Sequence, residues 1–153
     1  MQKNNHVIDF HSHAGSWGKV CMDYNIDSYL HVMDKAGVDI ACINCNFYGD
    51  SRIGNDLAES IVSKYPNRFR HVAFVNPHYP ENVIEELERC FDQIGSLFIK
   101  IYPDYFRKAN DDPAYFPAYE FANDRKLAIM MHAKFPFDPP ELNITERFTN
   151  LSN

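Results

Sequence analysis

The chain lacks any long uninterrupted hydrophobic run. No stretch approaches the roughly 18 consecutive apolar residues that a membrane-spanning helix needs. The opening Met-Gln-Lys-Asn-Asn-His also has no apolar core of the kind that signal peptides carry. Apolar residues still make up 45% of the chain, which is enough for a folded core. We therefore expect a soluble cytoplasmic protein that has no membrane partner.

Runs of like charge are also missing. The formal net charge of −6 comes from acidic and basic residues scattered along the whole sequence. Without a basic stripe or cluster there is no electrostatic footprint for a phosphate backbone. We therefore expect no nucleic-acid partner.

Cysteine is scarce, and its spacing does not build a zinc cluster. Cys42 and Cys45 form a C-x-x-C pair inside the apolar run Ile-Ala-Cys-Ile-Asn-Cys, and no second such pair exists. In a chain without an export signal, thiols are expected rather than disulfides. We interpret both residues as buried strand thiols that act as small hydrophobic side chains.

What the sequence does contain is a repeating strand and helix pattern in 153 residues, the length of one domain. Strand-like runs begin near residues 7, 38, 70, 97 and 127, with helical spacing between them. A period of about thirty residues is that of a βα unit and implies a parallel sheet. The glycine fingerprint of a dinucleotide-binding sheet is absent after the first strand, where His-Ser-His-Ala-Gly-Ser stands. We therefore favour an α/β fold of the (β/α)₈ barrel type, a single domain over 1–153 with about five βα units present.

Histidines end two of these strands. His11 and His13 are two residues apart, so in a strand they leave the same face, and His132 ends the fifth strand in the same way. Converging neutral imidazoles are typical ligands of a divalent metal. A pair of this spacing also arises by chance in a chain with seven histidines, and it could simply face solvent.

One lysine stands inside an apolar strand. Lys100 occurs within Leu-Phe-Ile-Lys-Ile-Tyr, where an unpaired buried ammonium would be costly. Three explanations are open: a carboxylate partner, an exposed face, or a carbamate that bridges two metals. The carbamate requires a neutral amine, which desolvation favours.

Four segments together carry a family resemblance: Ile8-Asp-Phe-His-Ser-His-Ala-Gly, Phe98-Ile-Lys-Ile-Tyr-Pro, Asp112-Pro-Ala-Tyr-Phe-Pro-Ala-Tyr-Glu-Phe-Ala and Leu127-Ala-Ile-Met-Met-His. They resemble the amidohydrolase superfamily, and within it the amidohydrolase-related (family 2) metal-dependent hydrolases and decarboxylases. The resemblance runs from residue 7 to about 150. It implies a (β/α)₈ barrel and a divalent metal, usually zinc, held by His11, His13 and His132. It makes Lys100 a candidate catalytic residue, which bridges two metals in some relatives and is a polar barrel residue in others.

Three further residues are candidate substrate contacts. Trp17 lies in the loop after the first strand, where relatives contact substrate, although it could equally plug the barrel mouth. His78 follows the third strand in Asn-Pro-His and either reaches substrate or caps a turn. Tyr102 ends the fourth strand and, like Trp17, could contact substrate or plug the barrel mouth.

The resemblance therefore implies a small-molecule substrate, and either a metal-dependent hydrolase of esters, lactones or amides or a decarboxylase of a small organic acid. Relatives continue into a sixth strand with another histidine and an eighth strand with an aspartate. We expect this chain to be truncated before strand 6, with open sheet edges that lead to self-association or to pairing with a completing chain. The alternative is a truncated, non-catalytic module that binds metal or a partner.

Overall fold

The computed structural model describes residues 6–15, 25–45 and 50–132. The strands are β1 (Ile8–His13), β2 (Ile40–Asn44), β3 (Phe69–His71), β4 (Ala73–Phe74), β5 (Ile99–Ile101) and β6 (Ile129–Met131). The α-helices are α1 (Ile26–Ala36), α2 (Ser51–Lys64), α3 (Val83–Arg89), α4 (Pro103–Phe106) and α5 (Phe116–Arg125). Short 3₁₀ turns (Pro80–Asn82 and Pro113–Tyr115) precede α3 and α5, and a π-helical segment (Cys90–Ile94) follows α3.

All the strand pairs are parallel, and they follow chain order. One sheet contains β1, β2 and β3, and a second contains β4, β5 and β6. The sequence predicts a single strand over 70–75, whereas the structure divides it at Val72 into β3 and β4. Five strand positions with alternating helices are therefore present, as the thirty-residue period predicts.

The side chain of Asn55 in α2 bridges this division. Its amide nitrogen donates to the Phe74 carbonyl, and its amide oxygen accepts from the Phe74 N–H, both at 3.0 Å. These are the two bonds that a neighbouring strand would make to Phe74. A buried polar side chain thus replaces strand pairing next to the division between the two sheets.

The helix boundaries follow local chemistry. Asn25 caps α1, and its side-chain oxygen accepts a hydrogen bond from the Asp27 N–H at 3.0 Å. Gly37 ends the helix in the left-handed conformation at φ 69°, and Gly95 ends the π-helical segment at φ 85°. Both glycines lack a Cβ and so adopt this conformation without strain.

The strands pack on two sides. The helices cover one face, with buried clusters that include Ala41, Ile43, Phe69, Ile99 and Ile101. Alternate strand positions face the other way and form a second cluster of Cys42, Val72, Phe98 and Met130. Phe10 stacks on Phe98 with ring centroids 4.5 Å apart. The same alternation places Asn44, Lys100, Tyr102 and His132 on this inner face, nearer the carboxyl ends of the strands.

Cys42 and Cys45 are buried free thiols, as the sequence predicts, and Cys90 is a third one. Burial raises the pKa of the Cys45 thiol to about 12. Cys21 lies outside the described residues.

The outer edge of β1 is exposed. Within the described ranges β1 pairs only with β2. The side chains of Val7 and Ile8 are each 52% exposed, and Phe10, although stacked on Phe98, is still 53% exposed. An apolar, unpaired strand edge is a surface that other polypeptide can cover. Across these ranges no helix has the length and apolar character needed to cross a bilayer.

Candidate functional site

A bulge in β1 sets the position of the first histidine pair. Asp9 pairs with Ala41 and Ser12 with Ile43, so that two residues of β1 stand opposite one residue of β2. The Asp9 carboxylate accepts hydrogen bonds from the His11 N–H at 3.0 Å and from the Ser12 hydroxyl. One short acidic side chain therefore holds the backbone turn from which His11 extends.

The imidazoles of His11 and His13 meet, as their spacing predicts. Their ring centroids are 4.8 Å apart at an interplanar angle of 72°. Burial is the largest cause that lowers the pKa of each ring, and for His13 it brings the pKa to about 4. The positive charges of Lys100 and His132 act in the same direction. Both rings are therefore neutral at physiological pH, which is the form that binds metal.

His13 is held from behind by Asn44 and Tyr102. Its Nδ1 lies 3.1 Å from Asn44 Oδ1, and the Tyr102 hydroxyl donates to the same oxygen at 2.7 Å. Asn44 is 1% exposed and Tyr102 is fully buried. The sequence left Tyr102 as a candidate substrate contact or a plug of the barrel mouth, and the structure places its hydroxyl on Asn44, beside His13.

His132 follows β6 and joins this cluster through aromatic contacts. Its ring centroid lies 5.7 Å from that of Tyr102 and 4.7 Å from that of Tyr105. Its Nε2 is 3.6 Å from Asp104 Oδ2, and its backbone N–H donates to the Ile101 carbonyl at 2.9 Å. The carboxyl ends of β5 and β6 thus bring a histidine and a carboxylate to the same place.

Lys100 is the middle residue of β5. It is 1% exposed, which removes the exposed-face explanation, and its Nζ lies 5.1 Å from the centre of the Tyr102 ring. Burial lowers the pKa of Lys100 to about 8, with the carboxylate of Asp104 opposing the change. The amine is therefore easier to deprotonate than an ordinary lysine.

The imidazole nitrogens of this cluster are suitable ligands for a divalent metal, but the three rings are not gathered around one point. Within 6–15, 25–45 and 50–132, no three His, Cys, Asp or Glu side chains stand close enough to hold one ion together. The imidazoles of His11 and His13 are in contact with each other. The ring of His132 contacts the ring of Tyr102, which in turn contacts that of His13. The structure therefore contains a preformed pair with a third imidazole nearby.

The remaining predicted contacts divide between the described and undescribed parts. The ring of His78 is exposed, with Nε2 3.0 Å from the Phe106 carbonyl, so that it fastens the end of α4. Trp17 lies outside the described residues, as does the segment before the expected sixth strand.

Asn44 and Asp9 are the site residues that sequence reasoning missed. Asn44 is the last residue of β2 and stands two residues after Cys42, on the same face of the sheet. A polar residue at the carboxyl end of a barrel strand was the available signal. Asp9 gave no such signal, because its role depends on a bulge that alternation does not predict.

Comparison of the sequence with known proteins identifies a family. A family model described as Amidohydrolase matches residues 8–151. A 2-amino-3-carboxymuconate-6-semialdehyde decarboxylase of Dictyostelium discoideum is 32% identical over 78 residues, which cover 51% of this chain and 22% of that protein.

Solved structures share the fold. The 2,6-dihydroxybenzoate decarboxylase from Rhizobium matches with a TM-score of 0.70 and 19% identity, over 95% of this chain and 55% of that one. A dihydroxybenzoic acid decarboxylase from Polaromonas, crystallised with manganese and the inhibitor 2-nitroresorcinol, matches with a TM-score of 0.67 and 21% identity, over 95% and 53%.

These structures are (β/α)₈ barrels, and the parallel strands described here form part of such a barrel. The chain spans about half the length of the two solved structures. With nearly all of its sequence matched by the family model, the chain belongs to the amidohydrolase family of metal-dependent hydrolases and decarboxylases.

Proposed function

We propose that this chain provides the histidine half of a metal-dependent decarboxylase site for a small unsaturated or aromatic acid. The observation that carries the proposal is the contact between the two neutral imidazoles of His11 and His13, with the charge of buried Lys100 beside them. The names of the relatives support the reaction class, since several are decarboxylases of such acids.

His11, His13 and His132 would hold the metal. A divalent metal bound there would polarise a substrate oxygen and lower the pKa of a bound water towards ~7. Zinc suits a set of imidazole ligands, and manganese is present in the Polaromonas structure, so both are candidates.

The other residues bind the acid or support the ligands. Lys100 supplies a positive charge from a buried position and so favours a bound carboxylate. Tyr102 and Asn44 keep His13 in place, and Trp17 and His78 remain candidate contacts for the rest of the substrate. Hydrolysis of an ester, lactone or amide is the second reaction that the same set of groups could support.

Metal content and turnover test this proposal together. The purified chain is loaded with zinc or manganese, desalted and analysed by mass spectrometry for bound metal. Release of CO₂ from 2,6-dihydroxybenzoate and hydrolysis of a nitrophenyl ester are then followed. We expect about one metal per chain, and loss of that metal in His11→Asn and His132→Asn. His31→Asn is the matched control, because His31 is exposed on α1.

A different class of function has its own supporting observation. The exposed side chains of Val7, Ile8 and Phe10 favour a module that another polypeptide covers. The occupant we propose is an amidohydrolase-type segment that pairs a parallel strand with β1 and contributes further site residues. Stoichiometric metal without turnover would support this non-catalytic module, whereas a chain that binds no metal overturns the metal site itself.

A further inference from the structure

The contact between Asn44 and His13 determines more than the position of the ring. A neutral imidazole carries its proton on either Nδ1 or Nε2, and the hydrogen bond at one nitrogen decides which form is present. Asn44 Oδ1 lies 3.1 Å from His13 Nδ1. A carbonyl-type oxygen can only accept a hydrogen bond, so the nitrogen that faces it must donate.

Tyr102 is the competing group. Its hydroxyl is 3.4 Å from His13 Nδ1 but 2.7 Å from Asn44 Oδ1. A hydroxyl has one proton to donate, and the shorter distance assigns it to Asn44. The Tyr102 hydroxyl therefore does not donate a hydrogen bond to His13 Nδ1. Instead it orients the Asn44 amide so that the amide oxygen faces His13 Nδ1.

We propose that Asn44 is a positioning residue that fixes His13 as the Nδ1–H tautomer and so makes Nε2 the ring's donor atom for a divalent cation. This inference rests on the proposed metal site and deepens it. Groups behind a ligating histidine usually perform this task, and their loss typically weakens metal binding about 10–100-fold. Burial makes the arrangement durable, because Asn44 is 1% exposed and water has little access to replace it.

The inference assigns separate tasks to two neighbours. Asn44 acts on the tautomer directly, whereas Tyr102 acts only through the orientation of the amide. Removing the Tyr102 hydroxyl should therefore leave the tautomer unchanged, while removing the Asn44 oxygen should release it. In water a neutral histidine side chain favours the Nε2–H tautomer, so a His13 ring without the Asn44 contact is expected to change from Nδ1–H to Nε2–H.

The test is a ¹⁵N-histidine NMR spectrum of the metal-free full chain at pH 7.5, with the His13 signals assigned by their loss in His13→Asn. We expect the Nδ1–H pattern in the wild type, in Tyr102→Phe and in Asn44→Asp, which keeps an acceptor oxygen. In Asn44→Leu we expect the Nε2–H pattern. Competition with a chelator for Zn²⁺ should show about 10–100-fold weaker binding by Asn44→Leu alone.

An Nε2–H pattern in the wild type overturns the inference, as does an unchanged tautomer in folded Asn44→Leu. If Asn44→Leu does not fold by circular dichroism, a switch to Nε2–H in Tyr102→Phe or Asn44→Asp contradicts the inference, and retention of Nδ1–H in both supports it. Because the spectra need no metal, a chain that shows the expected tautomers yet binds no Zn²⁺ would refute the proposed function and leave the role of Asn44 standing.

Discussion

Replacing Lys100 with methionine should make the metal-free chain more stable near neutral pH. Lys100 is 1% exposed, and burial lowers its pKa from 10.5 to about 8. The ammonium is therefore worse solvated in the folded chain than in the unfolded one. Methionine has a similar length and no charge, so it can fill the same space in β5 without this cost.

The size of the effect follows from the two pKa values. Each pKa unit is worth about 1.4 kcal/mol, so a fall from 10.5 to about 8 destabilises the folded state by about 3 kcal/mol. The cost is complete below about pH 8, where both states carry the proton. It shrinks as the pH rises, because the folded chain releases its proton first, and it is nearly gone near the unfolded pKa of 10.5.

Urea unfolding followed by circular dichroism, with a chelator present, measures this difference. We expect Lys100→Met to exceed the wild type by about 3 kcal/mol at pH 7 and to match it closely near pH 10.5. Burial also raises the pKa values of Tyr102 and Tyr115, which weakens the fold at high pH. Since this affects both proteins equally, the difference between them is the quantity to compare.

Lys35→Met is the matched control, because Lys35 is exposed in the last turn of α1. Its effect should stay within about 0.5 kcal/mol at every pH. A Lys100→Met variant that is less stable than the wild type at pH 7 would refute the reasoning. So would a stabilisation that has the same size at pH 7 and pH 10.5.

Three further expectations concern stability and assembly. Burial lowers the pKa of His71 from 6.5 to about 4. Its contribution to the free energy of unfolding is therefore complete above pH 6.5 and falls by up to about 3 kcal/mol as the pH drops to 4. His71→Gln should flatten this part of the stability curve measured with urea, and an unchanged slope would contradict the assignment. Gly54→Ala should destabilise the chain by about 1–3 kcal/mol in a thermal melt, because the added Cβ would stand 2.1 Å from the Cys45 carbonyl oxygen; a more stable variant would show that the backbones separate easily. The exposed β1 edge should make the chain self-associate in light scattering, and Ile8→Lys should reduce this; a monodisperse wild-type monomer would argue against an uncovered apolar edge.

The order of strands and helices could be predicted from sequence because it depends on local patterns. Apolar runs, glycine stops and a regular period fix where elements occur and imply parallel pairing. The division at Val72 could not be predicted, because it depends on Asn55 reaching Phe74 from a helix nineteen residues earlier. Periodicity carries no information about a side chain that takes the place of a strand.

The candidate site was predictable to a similar degree. The contact between His11 and His13 followed from their spacing, and the position of His132 followed from its place at a strand end. The support of His13 by Asn44 and Tyr102 could not be read from the sequence, since it joins residues 31 and 58 positions apart. Whether the third imidazole closes on the pair depends on three-dimensional distances that spacing does not determine.

The division of the third strand also bears on how the chain folds during synthesis. The sheet of β1, β2 and β3 is complete once His71 has left the ribosome, and none of its strand pairs needs a later residue. Its strand pairs can therefore form before β5 and β6 have emerged. Asn55 would then be in place to receive Phe74 as it emerges, and the second sheet would start growing from a template that the first has already built.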